Sequence, residues 1–315
     1  MADIVRRTPT RITLIGAGTI GLSFAALYCL LSTESRPIEV TIYDTRHDIE
    51  DYVRSTLPKY CLQQADQGST WFEDGTLKIS HNLASAVAMA HIVQEQGPEN
   101  IAFKASVWPQ IEDHCSPACL LWSSTSGIPA SAQSKNMRDP SRLLVVHPYN
   151  PPHIMPLLEV VPSAVTKPEL VTRTVLFWRS LGREPVVIKK EVTGFVANRL
   201  AFALFREAIH LVNDGVASVA DIDKVVQTSM GPRWTVAGPF RSYHAGGGQG
   251  GLEAFFKKIG GTVQDCWDDS GKVNVGDGWE EQVFHQTKEA YGVVDTAERD
   301  RRTMKLLNAV APDVD

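Results

Sequence analysis

The sequence of 315 residues predicts an α/β fold with a doubly wound parallel sheet, followed by an all-α domain. Two observations support this fold class. Short β-rich runs alternate with helical patterns through the first half of the chain, and parallel neighbours need such crossover connections. After Thr193-Gly194 the strand signals vanish and helical patterns dominate. We therefore place a sheet domain at residues 1–190 and a helical domain at residues 191–315.

The predicted strands are short apolar runs rich in β-branched residues. They lie at residues 11–15, 39–43, 77–80, 91–95, 120–123, 143–147, 157–161 and 185–189. Helices with an apolar face are predicted between them at residues 19–31, 99–112 and 168–181. The second domain contains predicted helices at residues 196–214, 219–228, 252–259, 279–291 and 297–310. A glycine-rich stretch at residues 246–251 is expected to be a flexible loop, with a lid as the alternative.

Composition and charge exclude several classes of partner. The formal net charge is −5 and no basic stripe is present, which argues against nucleic acid. No apolar run approaches the roughly 18–20 residues that a membrane span needs. Five cysteines in a chain of this length do not suggest a disulfide scaffold, so we expect a reducing cytoplasm. His114, Cys115 and Cys119 offer only three ligands with an intervening proline, and we expect no metal there.

A glycine-rich turn joins the first predicted strand to the first predicted helix. It reads Gly16-Ala17-Gly18-Thr19-Ile20-Gly21, which is a GxGxxG pattern. Gly16 permits a tight turn, Gly18 lets the backbone approach a pyrophosphate, and Gly21 lets the helix lie close to the strand. The next strand ends in Asp44, where a carboxylate accepts from ribose hydroxyls and repels a 2′-phosphate. The pattern predicts a dinucleotide site at residues 16–21 that prefers NAD.

Three charged residues near this turn have two interpretations each. Arg46 follows Asp44 and is typical of sites that admit a 2′-phosphate, so NADP is the less favoured alternative cofactor. Glu95 and Lys104 flank the end of the fourth predicted strand, at the expected edge of the cofactor site. We predict them as candidates for cofactor or substrate contact, with helix-terminus charges as the equally weighted alternative.

Four polar residues follow or end predicted elements at the same edge of the sheet. Ser126 follows one strand, His147 ends the next, Glu159 interrupts an apolar strand, and Asn198 begins the long helix. Taken singly, a histidine is more often a satisfied structural residue, and serine or asparagine is often a helix cap. Their common position at this edge makes the four residues candidates for one site.

Several longer motifs establish a family resemblance. They are GAGTIG, QEQGPEN, SSTSG, VVHPYNPP with LLEVVP, EVTGFVANRL and GPRWTVAGP. With these motifs the whole chain resembles the 3-hydroxyacyl-CoA dehydrogenase superfamily, most closely its λ-crystallin/L-gulonate 3-dehydrogenase branch. The resemblance implies a Rossmann-type sheet domain, a helical C-terminal domain and a homodimer. One departure is Ser124, where the acyl-CoA enzymes commonly carry asparagine.

The resemblance also implies roles for particular residues. His147 would be the catalytic base and Glu159 its partner, while Ser126 and Asn198 would contact the substrate oxygen or the cofactor carboxamide. Asn150, within the HPYNPP motif, is a further candidate for substrate contact. Arg233 lies where the acyl-CoA enzymes lack an arginine, so we expect it to bind a substrate carboxylate; a surface arginine packed on Trp234 is the alternative.

The expected function is NAD-dependent hydride transfer at the 3-hydroxy or 3-keto group of a small carboxylic acid resembling L-gulonate. Alternatives within the enzyme class are a 3-hydroxyacyl-CoA dehydrogenase, a carnitine-type dehydrogenase and a tailoring reductase of specialised metabolism. A non-catalytic, crystallin-like structural protein is the alternative from another class. The presence of all four predicted catalytic residues argues against the last.

Overall fold

A computed structural model describes residues 8–61, 67–293 and 295–311 of the chain, except the side chains of residues 67–69. The chain divides into two compact units, Met1–Arg199 and Leu200–Asp315. The first contains the sheet and the second is helical, as the sequence predicts. Within the described residues, no helix combines the length and the apolar character that crossing a membrane requires.

The first unit is built on one eight-stranded sheet in the order β3-β2-β1-β4-β5-β6-β7-β8. The strands are β1 (Thr10–Ile15), β2 (Ile38–Tyr43), β3 (Leu77–Ser80), β4 (Ile92–Glu95), β5 (Leu120–Ser123), β6 (Leu143–Pro148), β7 (Leu157–Pro162) and β8 (Glu184–Val187). The order reverses between β1 and β4, both of which lie at the centre of the sheet. Such a reversal opens a crevice at the carboxyl ends of the strands, where ligands bind in doubly wound folds.

One strand pair departs from the parallel arrangement. β6 and β7 are antiparallel, whereas the other neighbouring strands are parallel. The physical reason is the connection between them, residues 149–156, because a parallel crossover needs roughly a dozen residues or more. The reversal brings the end of β6 next to the first half of β7 at the carboxyl edge of the sheet.

Helices cover both faces of the sheet. They are α1 (Thr19–Leu30), α2 (Ile49–Thr56), α3 (Gln67–Glu73), α4 (Leu83–Val87), α5 (Ile101–His114), α6 (Ala130–Gln133) and α7 (Pro168–Ser180). On one face, Phe24 and Tyr28 of α1 pack with Trp122 of β5 and Trp178 of α7, with ring centroids 5.5–5.9 Å apart. These fully buried rings fix α1 on the sheet. The glycine turn leads directly into the first residues of α1, so it is fixed as well.

The second unit packs its helices around a small apolar core. They are the remainder of α8 (Ala197–Asn213), then α9 (Val219–Thr228), α10 (Met230–Val236), α11 (Pro239–Gly246), α12 (Gly251–Asp269), α13 (Glu280–Tyr291) and α14 (Thr296–Val310). The core consists of Ile209, Val212, Trp279 and Val283. α12 continues well past the predicted helix at residues 252–259, because Gly260 and Gly261 are accommodated within it.

The glycine-rich stretch forms a tight turn between α11 and α12, in which two of the glycines make close contacts. The expected flexible loop, with a lid as its alternative, stays a prediction. His244 Nδ1 accepts a hydrogen bond from the Leu252 N–H at 3.2 Å. A Cβ added at Gly251 would lie 2.3 Å from the His244 ring, and one at Gly247 would lie 1.7 Å from the Gly251 carbonyl oxygen. A side chain at Gly247 would collide with the backbone of Gly251, and one at Gly251 would collide with the His244 ring.

Candidate active site

The glycine turn has the close contacts that a dinucleotide site requires. Gly16 has a φ of 101°, a conformation that side-chain-bearing residues rarely adopt. A Cβ at Gly21 would lie 2.0 Å from the Gly16 carbonyl oxygen, whereas one at Gly18 would meet nothing within 4 Å. Gly18 is the N-cap of α1 and no side chain caps the helix, so its first N–H groups, beginning with Thr19 and Ile20, are available to an anion.

Asp44 lies immediately after β2 and faces this turn. Its carboxylate accepts from the Ala17 N–H at 2.8 Å and from the Arg46 N–H at 3.0 Å. The Arg46 guanidinium lies over the Tyr52 ring, 3.8 Å from its centroid. Asp44 and Arg46 line a cavity of about 520 Å³ together with the turn residues Gly16 and Gly18. The glycine cradle, the acid at the ribose position and the cavity fit the adenosine half of NAD.

Glu95 and Lys104 form a fully buried ion pair beside the cavity. Lys104 Nζ donates to both carboxylate oxygens of Glu95, at 2.9 and 2.8 Å, and neither side chain is exposed. Glu95 also accepts from the Gly97 N–H at 2.7 Å and from Ser123 Oγ at 3.1 Å. Both side chains are buried, and Glu95 supports the Gly97 turn through its backbone N–H. Their direct contact with the cofactor stays a prediction.

Ser126 is an exposed residue in the otherwise buried or half-buried loop after β5. Its N–H donates to Glu99 Oε1 at 3.0 Å, and its carbonyl accepts from Asn198 Nδ2 at 3.2 Å. Asn198 belongs to the first turn of α8. The structure thus brings together two of the predicted site residues, with the Ser126 side chain exposed at the carboxyl edge. Ser124, which replaces the usual asparagine, is buried and accepts from Gln94 Nε2 at 3.0 Å.

His147 and Glu159 form a buried pair across the antiparallel strands β6 and β7. The two residues are directly opposite in the register, and His147 Nδ1 lies 2.8 Å from Glu159 Oε2. The other carboxylate oxygen accepts from the Val196 N–H at 2.8 Å and the Ala197 N–H at 3.0 Å. Burial opposes ionisation of Glu159, but the bonds from His147, Ala197 and Val196 lower its pKa below the ordinary value.

The bonds to Glu159 determine which ring nitrogen of His147 carries the proton. An ionised carboxylate has acceptor sites only, so Nδ1 must donate to it. In the neutral ring Nε2 is then unprotonated and can accept a proton. Because the pKa of Glu159 is lowered, the stabilisation from its ionised form is full above the ordinary glutamate pKa and disappears as the pH falls through the lower folded value.

The turn before α8 orients the Val196 and Ala197 N–H groups toward Glu159. Gly194 and Phe195 both have positive φ, of 72° and 51°. Such a conformation at a phenylalanine costs about 1–3 kcal/mol and needs support from its surroundings. The Phe195 ring is fully buried, with its centroid 5.4 Å from that of His147. The turn therefore packs an aromatic ring on the imidazole and presents the first N–H groups of α8 to the carboxylate.

The remaining predicted residues make none of these hydrogen bonds. Asn150 is exposed in the loop after β6. Arg233 lies on α10 of the second unit, where it is exposed and has no ion-pair partner in the described part of the chain. Sequence reasoning missed Glu99, whose only signal was its position between the fourth strand and the following helix, and missed the backbone donors at residues 196 and 197.

The doubly wound sheet, the nucleotide-binding turn and a histidine–carboxylate pair at the same sheet edge are features of NAD-dependent dehydrogenases. Two family models match the chain: the NAD-binding domain of 3-hydroxyacyl-CoA dehydrogenase over residues 11–192, and the C-terminal domain of the same family over residues 194–270. The chain belongs to the 3-hydroxyacyl-CoA dehydrogenase family. Its cofactor is NAD, and it is an NAD-dependent dehydrogenase that acts on a 3-hydroxy group, as the sequence predicts.

Individual relatives cover most of the chain. It is 33% identical to a 3-hydroxyacyl-CoA dehydrogenase of Gibberella moniliformis, over 89% of this chain and 85% of the relative. It is 35% identical to an L-carnitine dehydrogenase of Streptomyces coelicolor, over 82% of this chain and 80% of the relative. A crystal structure of 5-formyl-3-hydroxy-2-methylpyridine 4-carboxylic acid 5-dehydrogenase, an NAD⁺-dependent dismutase, aligns with a TM-score of 0.78 and 28% identity over 96% of this chain and 99% of that one.

The bonding of Glu159 predicts the effect of Glu159→Gln. The two backbone donors at residues 196 and 197 hold the amide oxygen, so the amide NH₂ faces His147 Nδ1. Nδ1 must then accept and Nε2 carries the proton, which removes the base. We expect kcat for oxidation to fall about 10²–10⁴-fold with little change in NADH affinity. Steady-state kinetics and NADH fluorescence titration measure the two quantities.

A matched control is Glu184→Gln, which removes an exposed carboxylate from the neighbouring strand β8. Its kcat should stay within about 2-fold of wild type, since exposed charges away from a site have small effects. Adding Glu159→Gln to His147→Gln should cost little more than His147→Gln alone, because the two residues act as one unit. Wild-type kcat in Glu159→Gln would contradict the tautomer argument.

Proposed function

We propose that the chain interconverts the 3-hydroxy and 3-keto forms of a small carboxylic acid, with His147 as the acid–base residue. The observation that carries this proposal is the buried His147–Glu159 pair, at the same sheet edge as the NAD cleft. The orientation argued above leaves Nε2 of His147 able to take the proton of a substrate hydroxyl. NAD supplies the hydride acceptor when it is bound.

In this proposal the other site residues position the substrate and the cofactor. The exposed Ser126 hydroxyl hydrogen-bonds the reacting oxygen, and Asn198 holds the Ser126 carbonyl while its first helical turn holds Glu159. Asn150 contacts the substrate from the loop after β6. Asp44 selects NAD over NADP, because its carboxylate already occupies the ribose end of the cavity and repels a 2′-phosphate. Correct positioning of this kind removes a large part of the barrier to a two-reactant step.

The substrate is proposed to be a free acid whose carboxylate binds Arg233. Arg233 is exposed, no described acidic side chain pairs with it, and a guanidinium binds a carboxylate through two parallel hydrogen bonds. A sugar acid such as L-gulonate fits this description and agrees with the λ-crystallin/L-gulonate branch suggested by the motifs. The uncharged thioester end of an acyl-CoA substrate gives Arg233 no partner.

The second candidate substrate is L-carnitine or a related cationic hydroxy acid. Relatives named L-carnitine dehydrogenase match at 30–35% identity over 80–98% of the chain. Such a substrate is also a 3-hydroxy acid with a free carboxylate. It shares the proposed chemistry at His147 and Arg233 and differs in the group attached to C4.

A substrate panel with NAD⁺ tests the proposal. L-gulonate, L-carnitine, L-3-hydroxybutyrate and, in reverse, acetoacetyl-CoA are compared by NADH absorbance, with His147→Gln as the background. We expect a free acid to have the highest kcat/KM. Arg233→Met should lower kcat/KM for that acid by about 30-fold or more through KM, because loss of a charge-assisted pair costs about 2–5 kcal/mol, and should leave NADH affinity unchanged.

Arg302→Met is the matched control, since it removes an exposed arginine of the same helical unit. It should change neither constant for the acid. Efficient turnover of acetoacetyl-CoA with none of the free acids would contradict the proposed substrate class. Full turnover of the preferred acid by His147→Gln would contradict the proposed base.

We also propose that the chain forms a homodimer through its helical unit. Large apolar side chains of that unit are exposed, among them Phe202 at 63%, Phe240 at 80%, Trp267 at 60% and Phe284 at 61%. Aromatic side chains are enriched where subunits pack, and a second copy is the occupant that the family resemblance implies. Sedimentation equilibrium should give twice the chain mass of 34.6 kDa, and a single-chain mass at micromolar concentration would contradict the proposal.

A cytoplasmic location is proposed from the thiols. All five cysteines are free, and Cys29, Cys61, Cys115 and Cys119 are buried in the first unit. Free buried thiols persist in a reducing compartment. Fractionation of the source cells should recover the activity with cytoplasmic markers, and recovery in a secreted or organellar fraction would contradict it.

A further inference from the structure

Glu99 accepts three hydrogen bonds from the loop that carries Ser126. Its Oε1 atom accepts from the Ser126 N–H at 3.0 Å, from the Gly127 N–H at 3.1 Å and from the Thr125 hydroxyl. Glu99 lies just before α5, whose N-cap is Asn100, so it belongs to a different strand–helix connection from the loop it binds. One carboxylate oxygen therefore ties the connection after β4 to the loop after β5.

A buried cation supports Glu99 from behind. Lys104 Nζ lies 3.9 Å from Glu99 Oε2 and bonds both oxygens of Glu95. Lys104 and Glu95 are completely buried, whereas the Glu99 side chain is 46% exposed. Glu95 in turn accepts from Ser123 Oγ, just before the same loop. Glu95 thus binds the last residue of β5, and Glu99 binds residues 125–127 of the loop that follows. Lys104 lies between the two carboxylates.

The loop is held on its other side by α8. Asn198 Nδ2 donates to the Ser126 carbonyl at 3.2 Å, while Glu99 accepts from the Ser126 N–H at 3.0 Å. Both peptide groups of Ser126 are therefore fixed by side chains from other elements. The Ser126 side chain is exposed and free to meet a ligand.

We propose that Glu99 is a positioning residue for Ser126: it sets the orientation of the Ser126 loop and hence the placement of the hydroxyl on the reacting oxygen. The inference rests on the proposed function, because it assigns Ser126 that contact. Without the Glu99 carboxylate, the Ser126 N–H loses its acceptor and the Gly127 N–H keeps only a bond to Thr125 Oγ1 at 3.4 Å. The loop then shifts to hydrogen-bond with water. A displacement of about 1 Å in a positioning group costs as much as 100-fold in rate.

Three variants separate this role from general support of the fold. Glu99→Gln keeps an oxygen where Oε1 lies, so it should retain kcat within about 3-fold. Glu99→Ala should lower kcat by about 30–100-fold and raise the substrate KM, with the NADH dissociation constant within about 3-fold of wild type. Glu112→Ala is the matched control, because that carboxylate accepts from the Arg138 and Asp139 N–H groups at 2.7 and 2.9 Å. It should lower Tm and leave kcat unchanged.

A double-mutant cycle with Ser126→Ala gives the decisive result. If Glu99 acts through Ser126, adding Glu99→Ala to Ser126→Ala should lower kcat by no more than about 3-fold, since the two changes remove the same contact. The measurements are kcat, KM, the NADH dissociation constant and Tm on the full chain with its preferred substrate.

Three outcomes would overturn the positioning role. The first is that the kcat losses of Glu99→Ala and Ser126→Ala multiply in the double variant. The second is that Ser126→Ala keeps the wild-type kcat while Glu99→Ala loses activity. The third is a parallel loss of NADH affinity in Glu99→Ala that Glu99→Gln does not restore, which would make Glu99 a cofactor contact. Failure of the proposed function itself has a separate sign, because it appears as full turnover in His147→Gln.

Discussion

The hydrogen bonding of the Glu159 carboxylate is the interaction on which the site depends. It joins β7 to the imidazole on β6 and to the first backbone donors of α8. A buried carboxylate is costly unless its acceptor sites are filled, so the antiparallel pairing, the Gly194-Phe195 turn and the start of α8 must all be in place for the charge to be stable. The same bonds leave Nε2 of the neutral His147 ring without a proton.

Other carboxylates around the cleft also accept hydrogen bonds from backbone N–H groups. Ionised carboxylates have acceptor sites only, and backbone N–H groups near the ends of strands and helices need acceptors, so each meets the needs of the other. Four acids each bind backbone donors of the connections that form the cleft: Asp44, Glu95, Glu99 and Glu159. Charge-assisted bonds of this type are short and directional, so they hold several loops in a fixed arrangement before any ligand binds.

Much of the fold followed from the sequence, because alternation of strands and helices and the GxGxxG turn reflect local chemistry. The antiparallel pairing of β6 and β7 was not predicted, although the loop at residues 149–156 is too short for a parallel crossover. Glu95 and Lys104 were predicted near the cofactor site, but the sequence does not show that the two side chains form a buried ion pair. Glu99 had no pattern of its own, and the sequence does not show which glycines at 246–251 make close contacts, because close packing and flexibility both use glycine.

The orientation of the His147 ring tests the account most directly. Long-range ¹H–¹⁵N correlation spectra of ¹⁵N-histidine-labelled protein near neutral pH distinguish the two neutral tautomers, and His147→Gln assigns the signal among the nine histidines. The account predicts a proton on Nδ1 in wild type and on Nε2 in Glu159→Gln. A wild-type ring protonated at Nε2, or the same tautomer in both proteins, would contradict it.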